Sequence, residues 1–198
     1  MLKKTIAAAV LLIFAASSAW ATQVKPVNLQ KMVEQAERIF MGACVKVEEV
    51  TLPSGMKATQ YTFRVRRGLK GVDAGDTVTF RQLHSNNRQA VSIPGLPRFK
   101  KGQDSLVFLL GDSRLGLTSP VGLQQGVFDV RPTQDGLMVV NGVGNSNLDY
   151  ELPETNMRSA GLARSEREML AANQPISLDA LASLVVKFER LNQRKAGQ

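Results

Sequence analysis

"YTFRVRRGLKG", residues 61–71, decides the fold. Tyr61, Phe63 and Val65 recur at every second position, with Thr62, Arg64 and Arg66 between them. Successive side chains of a strand point to opposite faces, so this period is a strand's. Aromatic and branched residues point inward and cations lie on the wet face. A nucleic-acid patch would need aromatic rings exposed beside the charge, so that bases can stack on them. Here Tyr61, Phe63 and Phe80 all fall on the inward phase. Gly68 and Gly71 bracket Leu69 and Lys70 and predict the turn that ends the strand.

Upstream, Asn28 is placed to cap a helix in which Leu29, Met32, Val33, Ala36 and Ile39 form one apolar stripe, about three turns long. Phe40 to Val50 alternates: Met41, Ala43, Val45 and Val47 share one face, and Gly42, Cys44, Lys46 and Glu48 the other. Pro53-Ser54-Gly55 is a turn, so this strand and the opening one are expected to form a hairpin.

Downstream, "GDTVTFRQL" is a third strand, with Val78 and Phe80 inward and Thr77, Thr79 and Arg81 outward. Residues 84–104 are a long loop rich in Asn, Pro, Gly and basic residues. "SLVFLL", residues 105–110, is apolar on both faces and reads as a central, covered strand. "GVFDVRPTQDGLMVVNGV" reads as another hairpin, turning near Asp135-Gly136. Residues 145–174 are polar with little sustained period, apart from a short helix at Ser165 to Ala172, and read as a mobile linker. Ser177 then caps a last helix striped by Leu178, Leu181, Leu184, Val185, Phe188 and Leu191. That stripe must be buried on the chain's own core or on a partner.

The first residues predict export. Lys3 and Lys4 precede an apolar run from Ile6 to Ala16, followed by the Ala-Trp-Ala end at residues 19–21. This is the pattern of a secretory signal, and the run is too short for a membrane span of roughly 20 residues. Cleavage after Ala21 leaves a chain starting Thr22-Gln23-Val24. Losing Lys3 and Lys4 lowers Lys+Arg from 25 to 23 against 17 Asp+Glu, a net charge of +6. Cys44 is the only cysteine, so no intramolecular disulfide can form. "MGAC", residues 41–44, resembles a lipoprotein acylation box, but Glu37 and Arg38 precede it and the apolar run lies far upstream; Cys44 reads as a buried thiol in a strand.

Catalytic signals are sparse. His84 is the only histidine and sits in the polar loop "LHSNNR". A triad with Ser85 or Ser92 lacks the Gly-x-Ser-x-Gly elbow, and an exposed loop histidine is the plainer reading. One Cys and one His far apart do not make the ligand cluster zinc takes, and no phosphate loop indicates a nucleotide. No cofactor and no enzymatic activity are expected.

Two candidate binding regions remain. Arg64, Arg66, Arg67, Lys70 and Arg81 form a candidate basic face for lipopolysaccharide or another anionic glycan, although a solvated strand face explains them as well. Pro94, Pro97, Arg98, Phe99, Lys100 and Lys101 lie in a loop stiffened by two prolines. Phe99 can plug that loop onto the core. A stiff loop on a rigid scaffold suits partner recognition.

"AERIFMGACVKVEEV", "YTFRVRRGLKG", "GDTVTFRQL" and "PRFKKGQDSLVFLL", with "PVGLQQGVFDV" at residues 120–130, resemble the netrin/TIMP-like OB-barrel pattern, closest to exported bacterial proteins of that type without an assigned activity. The resemblance spans residues 29–130. It implies a mainly β fold: an OB-like small antiparallel β-barrel with an N-terminal helix and a C-terminal amphipathic helix. Metalloproteinase inhibitors of that group present an N-terminal cysteine to the protease zinc; the expected start at Thr22 has none, so that mechanism does not carry over.

The expected organisation is a signal peptide at 1–21, an OB-like barrel at 22–144, a flexible linker at 145–175 and a C-terminal helix at 176–198. The expected role is that of an exported periplasmic or secreted protein. It binds another envelope or secreted protein, with no nucleic acid and no transmembrane segment once the signal is removed. Binding of an anionic glycan is the first alternative and hydrolysis through His84 the second.

Overall fold

The structure is a computed structural model that describes residues 24–83, 93 and 95–197. The expected signal peptide, His84 and Pro94 lie outside the described residues. The fold is mainly β. Seven strands form one antiparallel sheet: β1 (Arg38–Thr51), β2 (Lys57–Lys70), β3 (Thr77–Leu83), β4 (Asp104–Leu109), β5 (Val127–Thr133), β6 (Gly136–Asn141) and β7 (Ile176–Ser177). Their order is β3-β2-β1-β4-β5-β6-β7, and the sheet curls into a half-barrel. After β4 the chain doubles back: Leu110 N–H donates to the Ser119 carbonyl at 3.1 Å, and Thr118 N–H to that of Arg81 at 2.8 Å. That last bond ties the returning segment to the marginal strand β3.

Among the described residues four α-helices accompany the sheet: α1 (Leu29–Gln35), α2 (Glu154–Ser159), α3 (Arg164–Ala171) and α4 (Leu178–Ala196). Asn28 caps α1 by accepting from Lys31 N–H at 3.0 Å, and Ser177 caps α4 by accepting from Ala180 N–H at 3.2 Å. α1 is shorter than its stripe suggests. Glu37 N–H bonds the Leu109 carbonyl at 2.9 Å, which draws the chain into the sheet, and Ile39 belongs to β1. Among the described residues no helix is long and apolar enough to cross a membrane.

The two faces of β4 show why it is apolar throughout. Leu106 and Phe108 join a cluster with Ile39, Met41, α1 and α4, while Val107 and Leu109 join a second cluster inside the curl. All residues from Ser105 to Leu109 are buried. The inner cluster is aromatic: Phe63 stacks on Phe80 at 5.9 Å, and Phe40 meets Phe63 edge-on at 5.6 Å.

Three sequence expectations need correction. Residues 145–175, read as a flexible linker apart from a short helix at Ser165 to Ala172, carry that helix as α3 and a further one, α2, and bury Leu148, Leu152, Leu162 and Leu170 in the helical cluster. Their leucines are too irregularly spaced to show a period. The turn expected at Leu69 and Lys70 comes later: β2 runs on through Lys70, and Gly71, at φ +68°, makes the break. The third concerns β1. Cys44 lies opposite Phe63 and Lys46 opposite Thr62, which leaves Val45 as an extra residue in a β-bulge. The bulge reverses the phase of everything after it. Val45, expected inside with Met41, is 42% exposed; Val47 lies opposite Tyr61 on the concave side but is itself 41% exposed, at the mouth of the curl.

Candidate functional site

The concave face of the half-barrel is built from paired positions. Val78 lies opposite Phe63, Phe80 opposite Tyr61, and Gln82 opposite Thr59. Directly opposed residues share a face. The inward row of β3 is therefore Val78, Phe80, Gln82, and it turns from apolar to polar at its end. Because of the bulge, Val47 and Glu49 of β1 fall on this same face, opposite Tyr61 and Thr59.

The segment Leu96–Lys100 crosses this mouth as an arm. Phe99 is 5% exposed and its ring lies 5.1 Å from both Tyr61 and Phe63 and 5.8 Å from Phe80. Each of the three contacts is edge-on, the geometry that ring quadrupoles favour. The far end of the arm is pinned at the bulge: Gly102 N–H donates to the Cys44 carbonyl at 2.8 Å and Cys44 N–H to that of Gln103 at 3.0 Å. Held at both places, the arm walls a cleft of about 440 Å³, within the ~300–1,000 Å³ range of ligand sites.

Its lining is mixed. Val47, Leu96 and Phe99 are apolar; Glu48 and Glu49 come from β1, and Arg98 and Lys100 from the arm. Tyr61 and Gln82 also line it. Burial pushes the Tyr61 hydroxyl up in pKa, while a hydrogen bond to the Phe99 backbone and the charge of Arg98 pull it down.

Gln82 is the unusual member. It is 1% exposed, and neither its Nε2 nor its Oε1 has a hydrogen-bond partner. Buried side-chain amides are normally bonded, and an orphaned donor or acceptor costs about 1–3 kcal/mol. Several other buried amides of this protein are bonded. Gln125 accepts from Val27 N–H at 2.8 Å and donates to the Lys25 carbonyl at 3.1 Å. Asn141 donates to Asn147 Oδ1 at 2.8 Å and to the Gln125 carbonyl at 2.9 Å, and Asn147 donates to the Val27 carbonyl at 2.6 Å. That Asn/Gln set staples the N-terminal arm to β6.

The structure sorts the sequence candidates. Pro97, Arg98, Phe99 and Lys100 come together at the cleft. Lys101 sits on the adjoining turn, and Pro94 lies outside the described residues. Phe99 and Pro97 are buried, whereas Arg98 and Lys100 are exposed. The basic candidates do not form one open face. Arg66 pairs with Asp104 at 3.0 Å, Arg67 with Asp179, and Lys70 with Glu189 at 3.0 Å. Arg81 donates to Gln60 at 2.9 Å. The extension of β2 carries Arg67 and Lys70 to the helical side, where α4 supplies their acids. Glu49, Thr59, Tyr61 and Gln82 were missed as site residues. Gln82 had a signal: an amide where the period of Val78 and Phe80 calls for an apolar residue.

Cys44 is fully buried and its thiol approaches the Lys46 carbonyl at 3.6 Å. Burial raises its pKa, which makes it a poor nucleophile. Among the described residues no group of three or more His, Cys, Asp or Glu side chains could hold a metal ion. No protein-family model matches the chain, and no curated protein matches it.

Proposed function

We infer that this is an exported, non-enzymatic binding protein that recognises another envelope or secreted protein through the cleft beneath the Leu96–Lys100 arm. One observation carries the reading: Phe99 is sunk in the aromatic core, and this holds Arg98 and Lys100 exposed beside the cleft. Recognition groups on a rigid support lose little freedom on binding. The resemblance to netrin/TIMP-like barrels and the signal-like first 21 residues support the class and the compartment.

The glycan reading is weaker, because four of the five basic-face residues already have partners. The test is a photo-crosslinking side chain at Lys100 in intact cells, followed by mass spectrometry. One dominant protein adduct, lost in Arg98→Glu, is the expected result. Recovery of anionic glycan alone, released by high salt, would replace this reading with the glycan one.

A further inference from the structure

We propose that the cleft takes an extended peptide segment of the partner, and that the Gln82 side-chain amide reads one of its main-chain amide units. The proposal rests on the protein-binding reading above and names the ligand of that same site.

Gln82 offers one acceptor, Oε1, and one donor group, Nε2, side by side at the cleft and both unpartnered. A peptide unit offers the complementary pair, one N–H and one C=O. A sulfate offers acceptors only and would leave Oε1 orphaned. The charges point the same way. Glu49 from β1 lines the cleft together with Arg98 and Lys100 from the arm, so the cleft carries both signs and does not suit a polyanion. Its apolar members, Val47 and Leu96, can receive side chains that flank the bonded unit.

The Gln82 amide has almost no solvent exposure in the free protein. A ligand that bonds it therefore replaces an unmet pairing rather than a hydrated one, and binding should discriminate sharply between a peptide and an analogue lacking the N–H.

The probe is N-acetyl-trialanine N-methylamide, titrated into the isotope-labelled protein and followed by NMR. Its depsipeptide analogue, with the central N–H replaced by an ester oxygen, is the control. Saturable shifts of the Gln82 side-chain amide and of the Leu83 and Arg98 backbone signals are expected, with the ester at least about tenfold weaker. Gln82→Met keeps the bulk and removes the amide, and it should fold, since the lost groups were unpaired. In that variant the peptide and the ester should bind alike. Gln82→Glu removes the donor and should weaken the peptide as well. Absence of any shift at millimolar peptide overturns the proposal. So does discrimination that survives in Gln82→Met. If Lys100 still crosslinks a protein in cells, either failure removes the peptide reading alone; if it does not, the binding function falls with it.

Discussion

Phe99 and Tyr61 meet edge to face, their ring centroids 5.1 Å apart at 78°. The contact joins the arm to the sheet, so Leu96–Lys100 and the aromatic core are one packed unit. Phe99→Ala should therefore act first on stability. Truncating a buried Phe costs about 3–5 kcal/mol, and urea unfolding should show that loss. Arg98→Ala, at an exposed position, should leave the unfolding free energy within about 0.5 kcal/mol of the parent. The pair separates support of the arm from recognition by it.

Gly42 of β1 packs directly against the backbone of β2. A Cβ there would come within 2.5 Å of the Arg64 carbonyl oxygen and 3.2 Å of the Val65 Cα. Both are backbone atoms of the paired strand and cannot swing away. Gly42→Ala should lower stability by about 1–3 kcal/mol through overpacking, read as a lower melting temperature. An unchanged melting temperature would show that the bulged ladder has slack.

The helix α4 buries Leu178, Leu181, Leu184, Val185, Phe188 and Leu191 against the chain's own core. It is not a free partner-binding helix. Each such side chain contributes roughly 1.5–3 kcal/mol, so together they rival the ~5–15 kcal/mol stability of a whole domain. Ending the chain at Gln174 should leave a protein without a cooperative melting transition. A truncated chain that melts cooperatively near the parent temperature would contradict this packing.

Glu166 links α3 to α4. Burial alone would raise its pKa, but Lys187 Nζ at 2.6 Å and Ala163 N–H at 2.7 Å bring it below the ordinary 4.5. A carboxylate with a depressed folded pKa adds stability above its unfolded pKa, and that contribution is lost as pH falls through the folded value. The parent should thus exceed Glu166→Gln in urea midpoint at neutral pH, and the gap should narrow from about pH 4.5 downward. A gap that is constant from neutral pH to pH 3 would exclude this linkage.

Much of the fold was legible because alternation and helical stripes are physical requirements of half-buried elements. Tyr61, Phe63 and Val65 face inward as their period demands, and every stripe residue of α4 is buried. Asn28 and Ser177 cap the helices their side chains suit. The bulge at Val45 was not legible, because a bulge is a relation between two strands and β1 alone shows unbroken alternation through Val47. The packing of Leu148, Leu152, Leu162 and Leu170 was hidden for a similar reason: turns and short helices bury isolated leucines without a period. At the site, the arm residues stood out by composition. Glu49 and Thr59 did not, since their facing depends on the bulge and on the pairing of β1 with β2.

The sequence by itself determined the mainly β class, the central covered strand β4 and the two capped terminal helices. Each follows from local periodicity and from side chains bonding their own backbone neighbours. Tertiary structure alone decided that α4 packs on its own core and that Arg67 and Lys70 are matched by its acids. It also decided that an inserted residue at Val45 turns Val47 and Glu49 toward Gln82. These outcomes depend on which surfaces meet when the sheet curls, and distant residues settle that jointly: no local pattern encodes an approach between Phe99 and Tyr61.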